Sequence, residues 1–299
     1  MEYIPSHNFM EYIPSHNYQE IRIDALNEIY TIIQRYNQFY NLSHSDSKNG
    51  NTSLQAFYRG QSDSAWNISP SILRSSKKEI EIIKELHLDT ERSLFETISY
   101  IQHYHTGTRF IDFTLDPDIA IFFACADNED KDGAVYLYTY VPHRAEWYSA
   151  LVLTELTQIE ADQLTIQELS ERILKKYPNL KKRFSKIEEL NGAIVSFLDH
   201  GFMVLPDDES YGNNLRLQRQ KGCFYVCGVE FVSELTARDH WFSRAGRNEF
   251  YPYSAIVADS LKWGRNLVKV IIPKELKKEI LKDLAEKKIT KEYLFPNER

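Results

Sequence analysis

The sequence predicts an α+β protein, and three observations carry that expectation. Apolar residues recur at helical spacing in some stretches, for example Ile21, Leu26, Ile29, Tyr30, Ile33 and Tyr36. Short strand-like runs are scattered between the helical stretches instead of alternating with them as a regular βαβ array would. Three blocks set polar residues in an apolar context: Phe57-Tyr58-Arg59-Gly60-Gln61, Gln102-His103-Tyr104 with Thr108-Arg109-Phe110-Ile111-Asp112-Phe113-Thr114, and Arg216-Leu217-Gln218-Arg219-Gln220-Lys221-Gly222-Cys223-Phe224. A site assembled from strand ends and turns has this appearance.

Taken in order, residues 1–9 are repeated almost unchanged at 10–18, with Phe9 replaced by Tyr18. So short a tandem copy is not a solenoid, and 1–18 reads as a tag-like duplication outside the fold. Residues 19–53 read as a helix over 19–40 followed by a polar linker rich in Ser and Asn. Residues 54–58 read as a strand that delivers Arg59 at its end, where Gly60 lets the backbone turn or approach a ligand closely. Residues 79–101 read as a charged helix with Leu94, Phe95, Ile98 and Ile101 on one face.

Asp116-Pro117 is a strong helix start, with Asp as cap and Pro in the first turn. The helix 118–126 is almost wholly apolar and therefore central. Asp132-Gly133 turns into a strand over 134–140. Residues 154–190 read as two helices broken by Pro178, and strands follow at 193–198, 222–227 and 267–272. An amphipathic helix over 274–286 precedes Leu294-Phe295-Pro296.

The bulk numbers bound the function. A chain of 299 residues that is 42% hydrophobic buries a sizeable core, and a net charge of −7 argues against a strongly cationic nucleic-acid binder while leaving room for a local basic groove. The densest basic cluster is Lys175, Lys176, Lys181, Lys182, Arg183 and Lys186. It reads either as a solvated helix face or as a phosphate-contacting surface. The 19 Tyr and 16 Phe serve a core or a base-stacking surface.

Cys125, Cys223 and Cys227 are too few and too odd in number for a disulfide framework and read as buried thiols in a reducing compartment. No run approaches the ~18 apolar residues of a membrane span, so a soluble, cytoplasmic protein without membrane partners is expected. Neither a P-loop nor a Gly-x-Gly-x-x-Gly turn is present. The carboxylates form no cluster of the kind a Mg²⁺-dependent nuclease needs, so no metal is expected.

Tyr58-Arg59-Gly60-Gln61 resembles the motif that names the FRG domain family, with Tyr in place of Phe. Trp66, Pro70-Ser71 and Arg74, the block 102–114, the apolar run 120–125, the block 216–224 and Leu294-Phe295-Pro296 resemble its later motifs in order. The resemblance covers 54–299. Two departures stand out: His105-Thr106-Gly107 replaces the usual Gly…Pro ahead of Thr108, and Phe113 replaces Trp.

The resemblance implies an ADP-ribosyltransferase-like split β-sheet core with surrounding helices and a helical insertion at about 154–190. It also implies NAD as co-substrate, and the role of a toxin in bacterial phage-defence toxin–antitoxin loci. Nucleic acid, RNA above all, is the implied acceptor, with an antitoxin as partner and a chaperone in three-part systems. The alternatives are an NAD glycohydrolase, which passes ADP-ribose to water, and a non-catalytic ligand-sensing or partner-binding module of a defence operon.

ADP-ribosyl transfer passes through an oxocarbenium-like transition state, as glycoside hydrolysis does. It needs a cation for the pyrophosphate, groups that fix the ribose, and negative charge near the reacting carbon. Arg59 suits the first need through its bidentate fork, or is instead a buried structural partner of Asp112. Gly60, Gln61, Thr108, Arg109 and Thr114 complete the expected cofactor contacts, although both threonines also read as turn caps. Arg109 and Asp112 read as an ion pair or as substrate contacts.

His103 reads as a base, a ribose contact or a hydrogen-bonded core residue. Transferases of the arginine type carry a Glu on a strand, two residues after a Gln or Glu. The comparable spacing here is Gln218-Arg219-Gln220, which makes Gln220 a catalytic candidate beside Arg59, Asp112 and His103. Either Gln220 suffices, or a carboxylate from elsewhere (Asp112, Glu91, Glu96 or Glu249) enters the site, or the chain does not transfer. A flipped or unpaired base would stack on tyrosines near Lys175–Lys186 or on the segment 241–244.

Overall fold

The computed structural model describes residues 19–40, 42, 53–87, 92–198, 201–231, 249–252 and 267–296. The duplicated 1–18 and most of the linker expected after residue 40 lie outside them. In chain order the elements are β1 (Gln19–Arg22), α1 (Leu26–Phe39), β2 (Gln55–Gln61), α2 (Glu79–Glu85), α3 (Leu94–Tyr104), β3 (Phe110–Thr114), α4 (Pro117–Cys125), β4 (Gly133–Tyr140), β5 (His143–Arg144), α5 (Tyr148–Glu155), β6 (Leu164–Thr165) and α6 (Ile166–Lys176). There follow α7 (Ile187–Leu198), β7 (Phe202–Leu205), α8 (Asp208–Asn213), α9 (Leu215–Arg219), β8 (Gly222–Val226), β9 (Glu230–Phe231), β10 (Glu249–Tyr251), β11 (Leu267–Ile272), α10 (Lys277–Glu286) and α11 (Lys291–Leu294). The fold is α+β.

The chain forms two compact units. Unit 1 comprises Met1–Trp66, Phe113–Val141 and Leu261–Arg299; unit 2 comprises Asn67–Asp112 and Pro142–Ser260. In unit 1, β4 pairs antiparallel with β11 on one side and with β2 on the other, and β1 pairs parallel with β11. Helices α1, α4 and α10 supply the apolar cover. Ile29, Ile33, Ile121, Ala124, Val135, Leu137, Val270, Ile280 and Leu294 share its core.

Helix α4 starts as the sequence predicts. Asp116 caps it by accepting the Asp118 N–H at 2.9 Å, and Pro117 opens the first turn. Its apolar residues are almost all buried, because the strand face lies on one side and α1 and α10 residues share its core. The ammonium of Lys277, at the start of α10, is buried and donates to the carbonyls of Ser62 (2.7 Å), Asp127 and Asn128 (both 3.0 Å). Three carbonyl acceptors replace the water this cation gives up.

In unit 2, β7 pairs antiparallel with β8 and parallel with β5, while β10 lies between β6 and β9. Helix α6 carries a reciprocal cap: Thr165 accepts the Glu168 N–H at 3.1 Å, and the Glu168 carboxylate accepts the Thr165 N–H at 2.8 Å. All three cysteines are free thiols and buried.

Several expectations are corrected. The first helix begins at Leu26, because residues 19–22 form β1 against β11. The expected helix over 79–101 is two helices, α2 and α3. Residues 193–198 are helical and not a strand. Leu190, Ile194 and Leu198 recur four apart and are all fully buried, the spacing of one helix face. Arg59 sits inside β2 and not at its end, since the strand continues through Gly60 and Gln61 with Arg59 opposite Tyr136.

Gly60 permits a close approach, but to a helix. A Cβ at that position would stand 1.9 Å from the Ala120 carbonyl oxygen and 2.8 Å from the Ala124 nitrogen. Those are α4 backbone atoms, which no side-chain rotation can clear. Gly60→Ala is therefore expected to destabilise unit 1 by about 3 kcal/mol or to prevent folding. Gly192→Ala, inside α7 with nothing within 4 Å of the added carbon, should stabilise by about 0.5–1 kcal/mol. Urea unfolding of the two variants against wild type checks both signs.

Candidate functional site

The sequence-predicted site residues divide between the units. Arg59, Gly60, Gln61 and Thr114 belong to unit 1; His103, Thr108, Arg109, Asp112 and Gln220 belong to unit 2. Within unit 1, Thr114 stands opposite Tyr58 across β2 and β3. Its hydroxyl accepts the Asp116 N–H at 3.0 Å, the turn-capping role that its residue type suggests. Strand alternation puts Tyr58 and Gly60 on the face covered by α4, and Arg59 and Gln61 on the opposite face. Arg59 is half-buried there. Gln61 is buried, and its Oε1 has no hydrogen-bond partner among the described residues.

Within unit 2 the turn from 105 to 109 is held from two sides. The Ser71 hydroxyl accepts the N–H groups of Gly107 (2.9 Å) and Thr108 (3.0 Å), and the Ile72 N–H donates to the Thr108 carbonyl at 3.0 Å. Gly107 has φ +97°, and a Cβ on it would meet Ile82 at 2.3 Å, so the departure from the family pattern at 105–107 still delivers a tight glycine turn. On the other side Glu79, at the start of α2, accepts the Arg109 N–H (2.7 Å), Nε (2.8 Å) and Nη2 (2.5 Å). The Arg109 Nη2 also donates to the Pro252 carbonyl at 2.8 Å.

Both side chains of that ion pair are 3% exposed. The ion pair that Arg109 makes is with Glu79 and not with Asp112, its Nε and Nη2 both donating to Oε2 while Oε1 takes the backbone N–H. Sequence reasoning missed Glu79 because it sits in the run Lys77-Lys78-Glu79-Ile80-Glu81, which looks like an exposed helix start.

Gln102 closes the network. Its Nε2 donates to Asp112 Oδ2 at 2.7 Å, and its Oε1 accepts from the Thr108 hydroxyl. The same hydroxyl accepts the Phe110 N–H at 3.1 Å. One amide thereby ties the end of α3, the turn and β3 together, and both of its ends are specified by their partners.

Next to Gln102, His103 is 6% exposed with its ring 5.5 Å from that of Phe224, and its Nε2 has no hydrogen-bond partner among the described residues. Burial lowers its pKa to about 4; the Asp112 carboxylate partly offsets this, and the Arg216 guanidinium adds to it. The imidazole is neutral at pH 7. Arg216 Nη1 donates to the His103 carbonyl at 2.5 Å. Burial, with Asp112 adding to it, also pushes the Cys223 thiol well up, so it is no nucleophile at neutral pH.

The expected Gln-x-Gln geometry is corrected. Gln218 and Arg219 end helix α9, Gln220 caps it by donating its N–H to the Arg216 carbonyl at 3.0 Å, and β8 begins only at Gly222. Residues two apart on a helix face away from each other, and Gln218 is exposed while Gln220 is 6% exposed. The pair does not present two amides to one side as a strand would.

Among the carboxylates named for the missing charge, Asp112 lies in the network. Glu96 accepts the Asn213 amide at 2.9 Å on the first turn of α3, and Glu249 accepts the Gln163 amide at 2.7 Å. Glu91 and the segment 241–244 lie outside the described residues. Among the described residues no group of three or more His, Cys, Asp or Glu is placed to hold a metal, and no helix is long and apolar enough to cross a membrane.

Two outcomes test this geometry. Glu79→Gln leaves a buried guanidinium without its counter-charge and is expected to cost about 3–5 kcal/mol, whereas Lys84→Gln, which removes an exposed, solvent-screened pair with Glu160, should leave the unfolding midpoint near that of wild type. Chemical denaturation separates the two.

The second outcome concerns pH. A folded-state pKa of about 4 against an ordinary 6.5 means that the unfolded chain binds the His103 proton first. Stability from this group is therefore complete above pH 6.5 and is lost as pH falls from there to about 4, by about 3 kcal/mol in all. Wild type should lose that much more than His103→Gln between pH 7 and pH 4 in urea titrations.

Residues 54–133 match the family model of the FRG domain. The match covers β2, α2, α3, β3 and α4, and so includes every residue of the Gln102–Thr108–Asp112 network. No curated protein and no solved structure matches the chain.

Proposed function

We propose that this chain, which carries an FRG domain over residues 54–133, is an NAD-dependent ADP-ribosyltransferase toxin that modifies nucleic acid, with RNA as acceptor, in phage defence. The observation that carries the reading is the Gln102 amide bridging Thr108 and Asp112 within the family segment. It holds one carboxylate at a fixed place beside a neutral imidazole. Negative charge so held is what stabilises an oxocarbenium-like transition state.

In unit 2 Asp112 takes the electrostatic role that Gln220 lacks the charge to fill, and Gln102 and Thr108 orient it. In unit 1 Arg59 is the guanidinium for the pyrophosphate, with Gln61 donating or accepting beside it. The neutral His103 ring leaves its Nε2 as an acceptor for a substrate donor. The sheet of an ADP-ribosyltransferase-like fold and the neutralising antitoxin belong to the same proposal.

One observation favours a second, non-catalytic reading. The Gln218–Gln220 pair sits at a helix end, away from the strand position where transferases carry their Glu. A ligand-sensing module would need no such charge.

The purified chain is to be incubated with NAD and RNA, DNA or protein, and transferred ADP-ribose and free nicotinamide followed by mass spectrometry. Labelled RNA is expected, and Asp112→Asn should lower the transfer rate about 10²–10³-fold while leaving the unfolding midpoint near that of wild type. Nicotinamide release without label would identify a glycohydrolase. No reaction, with the variants at Arg59 and Asp112 behaving as wild type, would leave the sensing module.

A further inference from the structure

We infer that unit 2 carries a docking surface for single-stranded nucleic acid, with the backbone along residues 172–186 and one base in the cleft at the N-terminal end of α3. This deepens the proposed nucleic-acid acceptor and rests on that reading. The charge distribution is the first support. The stretch 172–186 holds seven cations (Arg172, Lys175, Lys176, Lys181, Lys182, Arg183, Lys186) and no acid, in a chain of net charge −7.

These cations divide by their partners. Arg172 and Lys176 hold the carboxylate of Glu155 at 2.6 and 2.5 Å, and that carboxylate is 1% exposed. They are thereby committed to a buried charge. Lys175, Lys181 and Lys182 are exposed and hold no ion pair among the described residues. Arg183, also exposed, lies with its guanidinium 4.7 Å from the Tyr148 ring centre. Such a row attracts a polyanion and releases the counterions it carries.

The cleft is the second support. It has a volume of about 620 Å³ and is lined by Leu94, Phe95 and Leu151, with Arg92, Gln158 and Tyr177 among its polar and aromatic members. Tyr177 directly follows α6 and precedes Lys181 and Lys182, so aromatic wall and lysines come from one short segment. The Gln158 Nε2 is buried and has no hydrogen-bond partner among the described residues, which leaves a donor awaiting an acceptor such as a base carbonyl or ring nitrogen.

Glu146 and Asp207 also line the cleft. Their charge disfavours a phosphate inside and favours an uncharged base there, with phosphates outside on the lysines. The base must leave its stack to enter, which selects an unpaired strand over a duplex. The same helix that carries Phe95 into the cleft carries Gln102 and His103 at its other end, about 12 Å along its axis at 1.5 Å per residue.

The test measures binding to the full chain without NAD, by fluorescence anisotropy of a labelled twelve-nucleotide RNA of mixed sequence. Wild type should bind, and its affinity should fall about 20-fold between 50 and 200 mM salt if about three phosphates are neutralised. The double substitution Lys181→Glu, Lys182→Glu should weaken binding at least 10-fold and flatten the salt dependence. Tyr177→Ala should weaken it about 10-fold with the salt dependence kept.

Thermal unfolding midpoints near that of wild type qualify both variants. Absence of wild-type binding, wild-type affinity in both variants, or equal affinity for a duplex of the same sequence would overturn the inference. Binding as expected with no ADP-ribose transfer would sink the enzymatic reading alone. Transfer to RNA undiminished in both surface variants would sink the docking surface alone.

Discussion

A single carboxylate, that of Glu79, organises unit 2 around the family's polar turn. It accepts one backbone and two guanidinium hydrogens from Arg109 while both side chains are shut away from solvent. A pair so placed is poor evidence for net stability, since desolvating two ions consumes much of their attraction. Its value is specificity. With Arg109 clamped, β3 can start at only one place, and the Thr108 hydroxyl is then in reach of the Gln102 amide. Asp112 follows in register.

The neighbouring imidazole illustrates how this packing sets chemistry. His103 is held neutral because burial outweighs the attraction of Asp112. A neutral ring beside a half-buried carboxylate is not an ion pair at physiological pH. Burial, with the same carboxylate adding to it, raises the Cys223 thiol and keeps it out of the chemistry. Burial thus acts on the two neighbours in opposite directions, lowering the imidazole and raising the thiol, while Asp112 raises both.

Much of the fold was legible from local signals. Asp116-Pro117 announced α4, Asp132-Gly133 announced β4, and the runs at 222 and 267 gave β8 and β11 within a residue or so. What misled was long-range context. Residues 193–198 read as a strand, but the four-residue recurrence of Leu190, Ile194 and Leu198 lines the buried face of α7. Residues 19–22 read as helix because their pairing partner lies far away at β11.

The candidate site was legible as a set of residue types but not as partners. Ser71 and Glu79, which hold the turn, carry no local mark of burial. The spacing of Gln218 and Gln220 suggested a strand that the chain does not form there, because Asn214 caps a helix by accepting the Leu217 N–H at 2.9 Å.

The pairing of β1 with β11, and the burial of Leu294 beside residues of α1 and α4, bear on how the protein is made. During vectorial synthesis the first strand emerges long before its neighbour exists. Its apolar surface, with that of α1 and α4, must wait for the last described segment before unit 1 closes. Unit 2 ends earlier in the chain and faces no such delay. A nascent chain on the ribosome therefore passes through a stage in which one half is complete and the other is open, the stage at which a folding helper would have the most to cover.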